Sequence, residues 1–372
     1  MKMKKKITLL MCTALLAGCA QEEEAKTYSL ADAAAGFDTV YSYSETTTDE
    51  EAFQTHFTEG RDLFSSYNDM FDIYHEYSAL NNLMTVNENA GKAPVTVSQE
   101  IMDMLLTAKE FYELTDGAFD ITMGATMKIW HEYREEGITL NEEGKDGNLP
   151  SEEELAEARQ YRGWEYIELD DENNTVYITD EHVSLDVGGI AKGYAAEHIA
   201  KMLEEEGVTS ALVNAGRNLR TIGSKPNGKP WKVGIANPAN LMDSDGIMIL
   251  AFEGTGSFVT SGDYERYYTV DGKNYHHILD PKTDHPADLY HSVTIVCKDS
   301  TAADCLSTAL FSLTVEEGKA LLEKYEEKTG DHASAVWIMD EDKAQGTEGT
   351  TLSGLFITYS SDLEDTITWS AD

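Results

Sequence analysis

The chain has 372 residues, 41% of them hydrophobic, and sets 28 Lys+Arg against 68 Asp+Glu for a formal charge of −40. That length buries a large core in one or two domains. The acidity excludes nucleic acid as a partner, because neutralising phosphates takes clustered Lys and Arg. It also means that a phosphate-bearing ligand needs local cations, from a metal or from a few placed basic residues.

The first segment is an address. Lys2, Lys4, Lys5 and Lys6 precede an apolar run, residues 7–16, too short to span a bilayer. Leu16-Ala17-Gly18-Cys19 closes it, and small residues directly before a cysteine look like a bacterial lipobox. On this reading residues 1–18 are a lipoprotein signal peptide and Cys19 is the lipidated first residue of the mature protein. Residues 19–34, with Gln21-Glu22-Glu23-Glu24, are a polar tether. The expected location is the extracytoplasmic face of the bacterial cell membrane, held there by the Cys19 lipid alone, since so acidic a chain repels anionic membrane surfaces. An ordinary secretory signal is the alternative.

Alternation predicts a strand over residues 37–43, and Phe53, Phe57, Leu63, Phe64 and Tyr67 predict an amphipathic helix over 50–71. Ser98 caps a second helix that carries Ile101, Met104, Leu105, Ala108 and Phe111, and Gly117 ends it. In residues 115–124 small residues surround Asp120, which either admits a ligand edge or makes a tight turn. Residues 132–148 are charged, lack apolar periodicity and read as a surface loop. A helix follows Pro150-Ser151, and a hairpin is expected over 164–179.

Residues 184–195 read as a strand end, a glycine turn and a helix start, with Lys192 supplying the positive charge that the chain otherwise lacks. The run is neither a Walker A loop nor the dinucleotide fingerprint, and a purely structural turn stays open. Further on, His276-His277 stands beside the Asp280-Pro281 turn. Asp304 and Thr308, four apart, point the same way on a helix, so a base and a metal site are suspected. A helix from Val315 to Lys324, a strand near 335–339 and a last strand near 352–359 complete the order. Once Cys12 and Cys19 are set aside, Cys297 and Cys305 either pair or stay as buried free thiols, and no zinc-type spacing is present.

Six segments in order carry a resemblance: Phe37-Asp38-Thr39, residues 116–122, residues 185–195, residues 260–266, His277-Ile278-Leu279-Asp280-Pro281 and residues 303–310. Together they resemble the ApbE family, the FAD:protein FMN transferases, over about residues 37–359. The resemblance implies an α+β fold of mixed helices and antiparallel sheets, T-fold-like, in a single catalytic domain over 35–360 with a C-terminal tail over 361–372. It implies Mg²⁺-dependent transfer of FMN from FAD onto a Thr or Ser hydroxyl of an acceptor protein, with release of AMP. By position, Phe37, Tyr74, Ala118, Phe119, Asp120, Asp186, Lys192 and Ile278 would contact FAD. Asp304, Thr308 and the Gly189 carbonyl would hold the metal. His277 would be the base, and Lys192 would neutralise a phosphate oxygen in the transition state.

Three departures stand out: Arg217 follows Asn214-Ala215-Gly216 where a second glycine is usual, and either adds a phosphate contact or marks drift in that loop; Asp284 follows Thr283 where glycine is usual; and Met84 replaces an asparagine. An FAD pyrophosphatase and a non-catalytic flavin-binding lipoprotein are the competing functions. Residues 120–126 also partly resemble the acceptor sequence of the family's partners, which makes Thr126 a candidate for self-modification.

Overall fold

The computed structural model describes residues 24–242, 246–344 and 346–370; the signal segment and Cys19 lie outside them. The helices are α1 (Glu50–Phe71), α2 (Leu83–Glu88), α3 (Gln99–Leu114), α4 (Gly124–Glu142), α5 (Glu152–Ala158), α6 (Ala191–Glu205), α7 (Ser300–Leu310) and α8 (Val315–Thr329). Their starts follow local chemistry. Asp49 accepts from the Glu51 and Ala52 amides at the head of α1, Ser98 caps α3, and Ser151 and Glu154 form a capping box on α5.

A nine-stranded antiparallel sheet organises the molecule. Its spatial order is Lys26–Gly36, Thr39–Thr47, Ala211–Ala215, Asn218–Ile222, Gly256–Gly262, Ser292–Cys297, Ala333–Met339, Leu355–Tyr359 and Thr350–Leu352. Side chains alternate between two cores, as the pleat requires. Val293, Ile295, Ala335 and Trp337 face the layer of α1, α6, α7 and α8. Phe258, Val296, Val336 and Ile338 face a second core with Val233, Leu250 and Leu363. That side is closed by a three-stranded sheet of Trp231–Ile235, Met248–Phe252 and Ile367–Trp369. Coverage on both faces explains why every residue of Ala333–Met339 is buried. The α+β class is as expected.

Several segments differ from the sequence reading. The strand Lys26–Gly36 begins inside the stretch expected to be tether and pairs with Thr39–Thr47. Tyr28 and Leu30 give it a period-2 face on the core, a signal masked by the polar residues between them. Phe37 and Asp38 are therefore not strand but the two-residue turn of this hairpin, with φ of 54° and 50°. Residues 132–142 are not a loop, since α4 runs to Glu142; the loop is confined to 143–148. Packing of Trp130 against the hairpin around Tyr268 and Tyr275 supplies the stability that periodicity did not show. The expected tail holds the edge strand Ile367–Trp369 and buries Leu363, so it belongs to the fold. The last predicted strand is a hairpin turning at Ser353 and Gly354. Cys297 and Cys305 are both free and buried.

One clasp ties the sheet to the loop that follows Gly262. His291 Nδ1 lies 2.8 Å from Asp263 and its Nε2 lies 3.1 Å from Asp340. Hydrogen bonding to Asp263 foremost, and to Asp340, raises its pKa to about 9. A raised histidine pKa contributes stability that is complete below about pH 6.5 and is lost as pH climbs through about 9. The melting temperature should fall over that window, and His291→Gln should flatten the fall; an unchanged slope would refute the clasp.

Candidate functional site

Between the helix layer and the sheet lies a large cleft, about 800 Å³, to which segments distant in sequence contribute. All twelve site residues expected by position within the described chain line it: Phe37, Tyr74, Ala118, Phe119, Asp120, Asp186, Gly189, Lys192, His277, Ile278, Asp304 and Thr308. Cys19 lies outside the described residues.

One end is built where α6 meets α7. A Cβ on Gly193 would stand 2.5 Å from Asp304 Cβ, so only glycine lets the two helices approach this closely. The Gly193 amide then donates to Asp304 Oδ2 at 2.8 Å. A Cβ on Gly189 would meet Thr308 Oγ1 at 2.9 Å, which shows how tightly the glycine turn sits on α7. Asp304 is 4% exposed and makes no ion pair among the described residues. Burial pushes its carboxyl up, and Lys192 and the Gly193 amide oppose the shift. Lys192, in the first turn of α6, donates to the Gly188 carbonyl at 3.3 Å.

These oxygens suit a hard cation. No group of three or more His, Cys, Asp or Glu that could hold a metal occurs among the described residues. A buried carboxylate without a counter-ion, a facing hydroxyl and an adjacent glycine turn are a sparse oxygen set of the kind Mg²⁺ completes with water and phosphate. The residues fit the ion.

The neighbouring wall holds two more carboxylates. Asp186 accepts the Gly188 amide at 2.9 Å, and burial raises its pKa against the pull of Arg134, His131 and Lys192. Asp120 caps a short turn by accepting the Thr122 amide and hydroxyl at 2.9 and 2.7 Å. Its pKa is raised by burial as well. Tyr74 is 54% exposed and its ring lies against His131, with centroids 5.1 Å apart. Phe37 is pinned by its amide to Asn68 Oδ1 at 2.6 Å and by its carbonyl to Arg266 at 3.4 Å.

The two adjacent histidines separate cleanly. His276 is buried and fully bonded, with Nε2 donating to the Ala287 carbonyl at 2.6 Å and Nδ1 accepting from the Ile278 amide at 3.2 Å. It fixes the chain on either side of His277. His277 faces the cleft with a buried Nδ1 that has no hydrogen-bond partner. Burial, then His276, Arg134, Arg266 and Lys192, hold its pKa well below the ordinary value, so the imidazole is neutral at neutral pH.

Lining residues to which sequence position gives no role include Arg266, Tyr264 and Arg134, and Arg217 lines the cleft with them. Arg266 lies inside a segment that carried the resemblance, and Tyr264 is its neighbour. Arg217 lies in the departing loop, has φ of 71°, pairs with Glu265 at 3.0 Å and lies over the Tyr264 ring. Arg134 projects from the part of α4 read as loop. Thr126 is fully buried in α4, which removes it as a self-modification target.

A sequence model of the ApbE family matches residues 37–330. The chain is 32% identical over 266 residues to the FAD:protein FMN transferase of Klebsiella pneumoniae (strain 342), covering 71% of this chain and 78% of that one. It is 33% identical over 257 residues to the enzyme of the same name from Treponema pallidum (strain Nichols), covering 65% and 68%. Among solved structures, the ApbE protein of Thermotoga maritima superposes with a TM-score of 0.72 at 31% identity, over 92% of this chain and 99% of that one. The flavin transferase ApbE of Vibrio cholerae gives 0.71 at 25% identity over the same shares. A match across most of the chain and a shared fold lead to one conclusion: this chain belongs to the ApbE family.

Proposed function

We propose that the protein transfers FMN from FAD to a Thr or Ser hydroxyl of an acceptor protein and releases AMP. The observation that carries this reading is the convergence, in one cleft, of a neutral unpartnered His277, the cations Lys192, Arg134 and Arg266, and the oxygen set at Asp304.

In the proposed reaction the acceptor hydroxyl oxygen attacks the flavin-side phosphorus of FAD. A new P–O bond forms, the P–O bond to the AMP phosphate breaks, and AMP leaves with that electron pair. His277 takes the hydroxyl proton; a neutral imidazole near pH 7 suits that work. Lys192 faces a non-bridging oxygen where charge builds. Asp304, Thr308 and the Gly189 carbonyl would hold Mg²⁺, which when bound supplies Lewis-acid polarisation of the pyrophosphate. Phe37, Tyr74, Ala118, Phe119, Asp120, Asp186 and Ile278 hold FAD in place.

The test is in-gel flavin fluorescence of a candidate acceptor after incubation with the soluble domain, FAD and Mg²⁺. The acceptor band should become fluorescent, and changing its target Thr or Ser to Ala should abolish the signal. Absence of a covalent adduct with every acceptor tried would overturn the reading. Free FMN and AMP without adduct would favour the pyrophosphatase, and FAD binding without AMP the non-catalytic lipoprotein.

The Cys19 lipid completes the proposal by placing the enzyme on the outer face of the cell membrane. No helix of the described residues is long and apolar enough to cross a membrane. Cys19→Ala should move the protein from the detergent phase to the aqueous phase on detergent partitioning. Retention of the variant in the detergent phase would contradict lipid anchoring.

A further inference from the structure

Arg134 is only 9% exposed, yet it lines the cleft. No carboxylate holds it closely, since its ion-pair neighbour Glu135 is a solvent-facing side chain 3.9 Å from Nε. Nη2 donates to His131 Nδ1 at 2.8 Å, which makes that imidazole nitrogen an acceptor, and the other face of this contact is the Tyr74 ring. Burial foremost disfavours the Arg134 charge and Arg266 repels it, while Glu135, then Tyr74 and Asp186, favour it without reversing the net downward shift. Asp186 itself forms no ion pair among the described residues, so it does not neutralise the guanidinium. A chain with 68 acids could close such a group with a carboxylate. Instead it leaves an under-compensated, partly desolvated fork beside Arg266 and Lys192, an arrangement that suits an incoming polyanion.

We propose that Arg134 is a diphosphate-binding residue: its guanidinium takes a non-bridging phosphate oxygen of FAD, and its bond to His131 fixes the direction of the fork. This rests on the reading of the cleft as an FAD site. Arg134 and His131 both lie on α4, in a helix stretch that none of the six family-like segments includes.

The test compares the affinities of FAD, ADP and riboflavin, with Mg²⁺ present, for the wild type, Arg134→Gln and Arg134→Lys. Arg134→Gln should weaken FAD and ADP by about 10- to 100-fold, the loss of a hydrogen bond to a charged group, and should leave riboflavin unchanged. Arg134→Lys keeps the charge without the fork and should fall between. In turnover, KM for FAD should rise by more than kcat falls. Equal weakening of riboflavin and ADP, or no weakening of either, would overturn the assignment. If Arg134→Gln does not fold, Arg134→Lys decides by the same comparison of ADP with riboflavin. A wild type that binds neither FAD nor ADP would strike the proposed function, whereas a wild type that binds FAD as tightly as Arg134→Gln does would strike Arg134 alone.

Discussion

Replacing His277 with alanine is expected to lower FMN transfer by about 10²- to 10⁴-fold, the range removed with a general base, while FAD still binds. The imidazole has no competing hydrogen bond at Nδ1, and the neighbouring His276 carries the structural bonds, so the fold should survive the change. The pH profile adds a sharper signature. Burial and three nearby cations hold His277 well below the ordinary histidine value. Protonation therefore disables it only at a pH below the usual histidine range, and kcat/KM should stay flat from neutrality down to that point. Bound diphosphate opposes the cations and should move the corresponding limb of kcat upward. Transfer by His277→Ala at the wild-type rate, or an acid limb of kcat/KM above pH 6.5, would remove His277 from the reaction.

Asp304→Asn should cost about a thousandfold in transfer, several kcal/mol of charge stabilisation, and yet should not destabilise the protein. The reason is the sign of the burial effect. A carboxyl whose folded pKa is raised binds its proton more tightly in the folded state, so without divalent cation its contribution to stability falls as pH rises through the shifted value. The amide keeps an acceptor for the Gly193 N–H and has no charge to bury. In the absence of Mg²⁺ the variant should melt at or above the wild-type temperature near pH 7, and the difference should shrink towards pH 4. Added Mg²⁺ should raise the wild-type melting temperature and leave the variant's unchanged. A Mg²⁺ response equal in both proteins would place the ion elsewhere.

The parts of the molecule legible in the sequence are those governed by local chemistry. Ser98 and Ser151 announce their helices because a capping side chain acts on amides two or three residues away. The glycine turn before Lys192 is visible for a similar reason, but its purpose is not. Only the fold shows that Gly189 and Gly193 are small because α7 passes against them. The α4 helix was illegible because its stability is tertiary, supplied by the hairpin that buries Tyr268 and by Trp130. That hid Arg134 and His131 from the site. The strand Lys26–Gly36 and the edge strand Ile367–Trp369 were missed because each is a short or polar partner strand whose hydrogen bonds come from a distant neighbour. His276 and His277 are equivalent in a sequence; their different surroundings, a carbonyl for one and a cation-lined cleft for the other, divide the roles.

The departures behave similarly. Asp284 takes a left-handed conformation, with φ of 60°, at a position suited to glycine. Its fully buried carboxylate is held by Arg159 and by Arg162, the latter at 2.7 Å, so the unusual residue has acquired a structural partner set of its own. Nothing in the structure explains Met84.

The account stands or falls on the ratio of two products measured in one reaction. With the soluble domain, FAD, Mg²⁺ and an acceptor, intact-mass spectrometry counts the FMN attached and chromatography counts the AMP released. The account predicts one AMP for each FMN attached, with both lost together in His277→Ala. AMP that accumulates at the same rate with or without acceptor, and with no mass added to the acceptor, would contradict it.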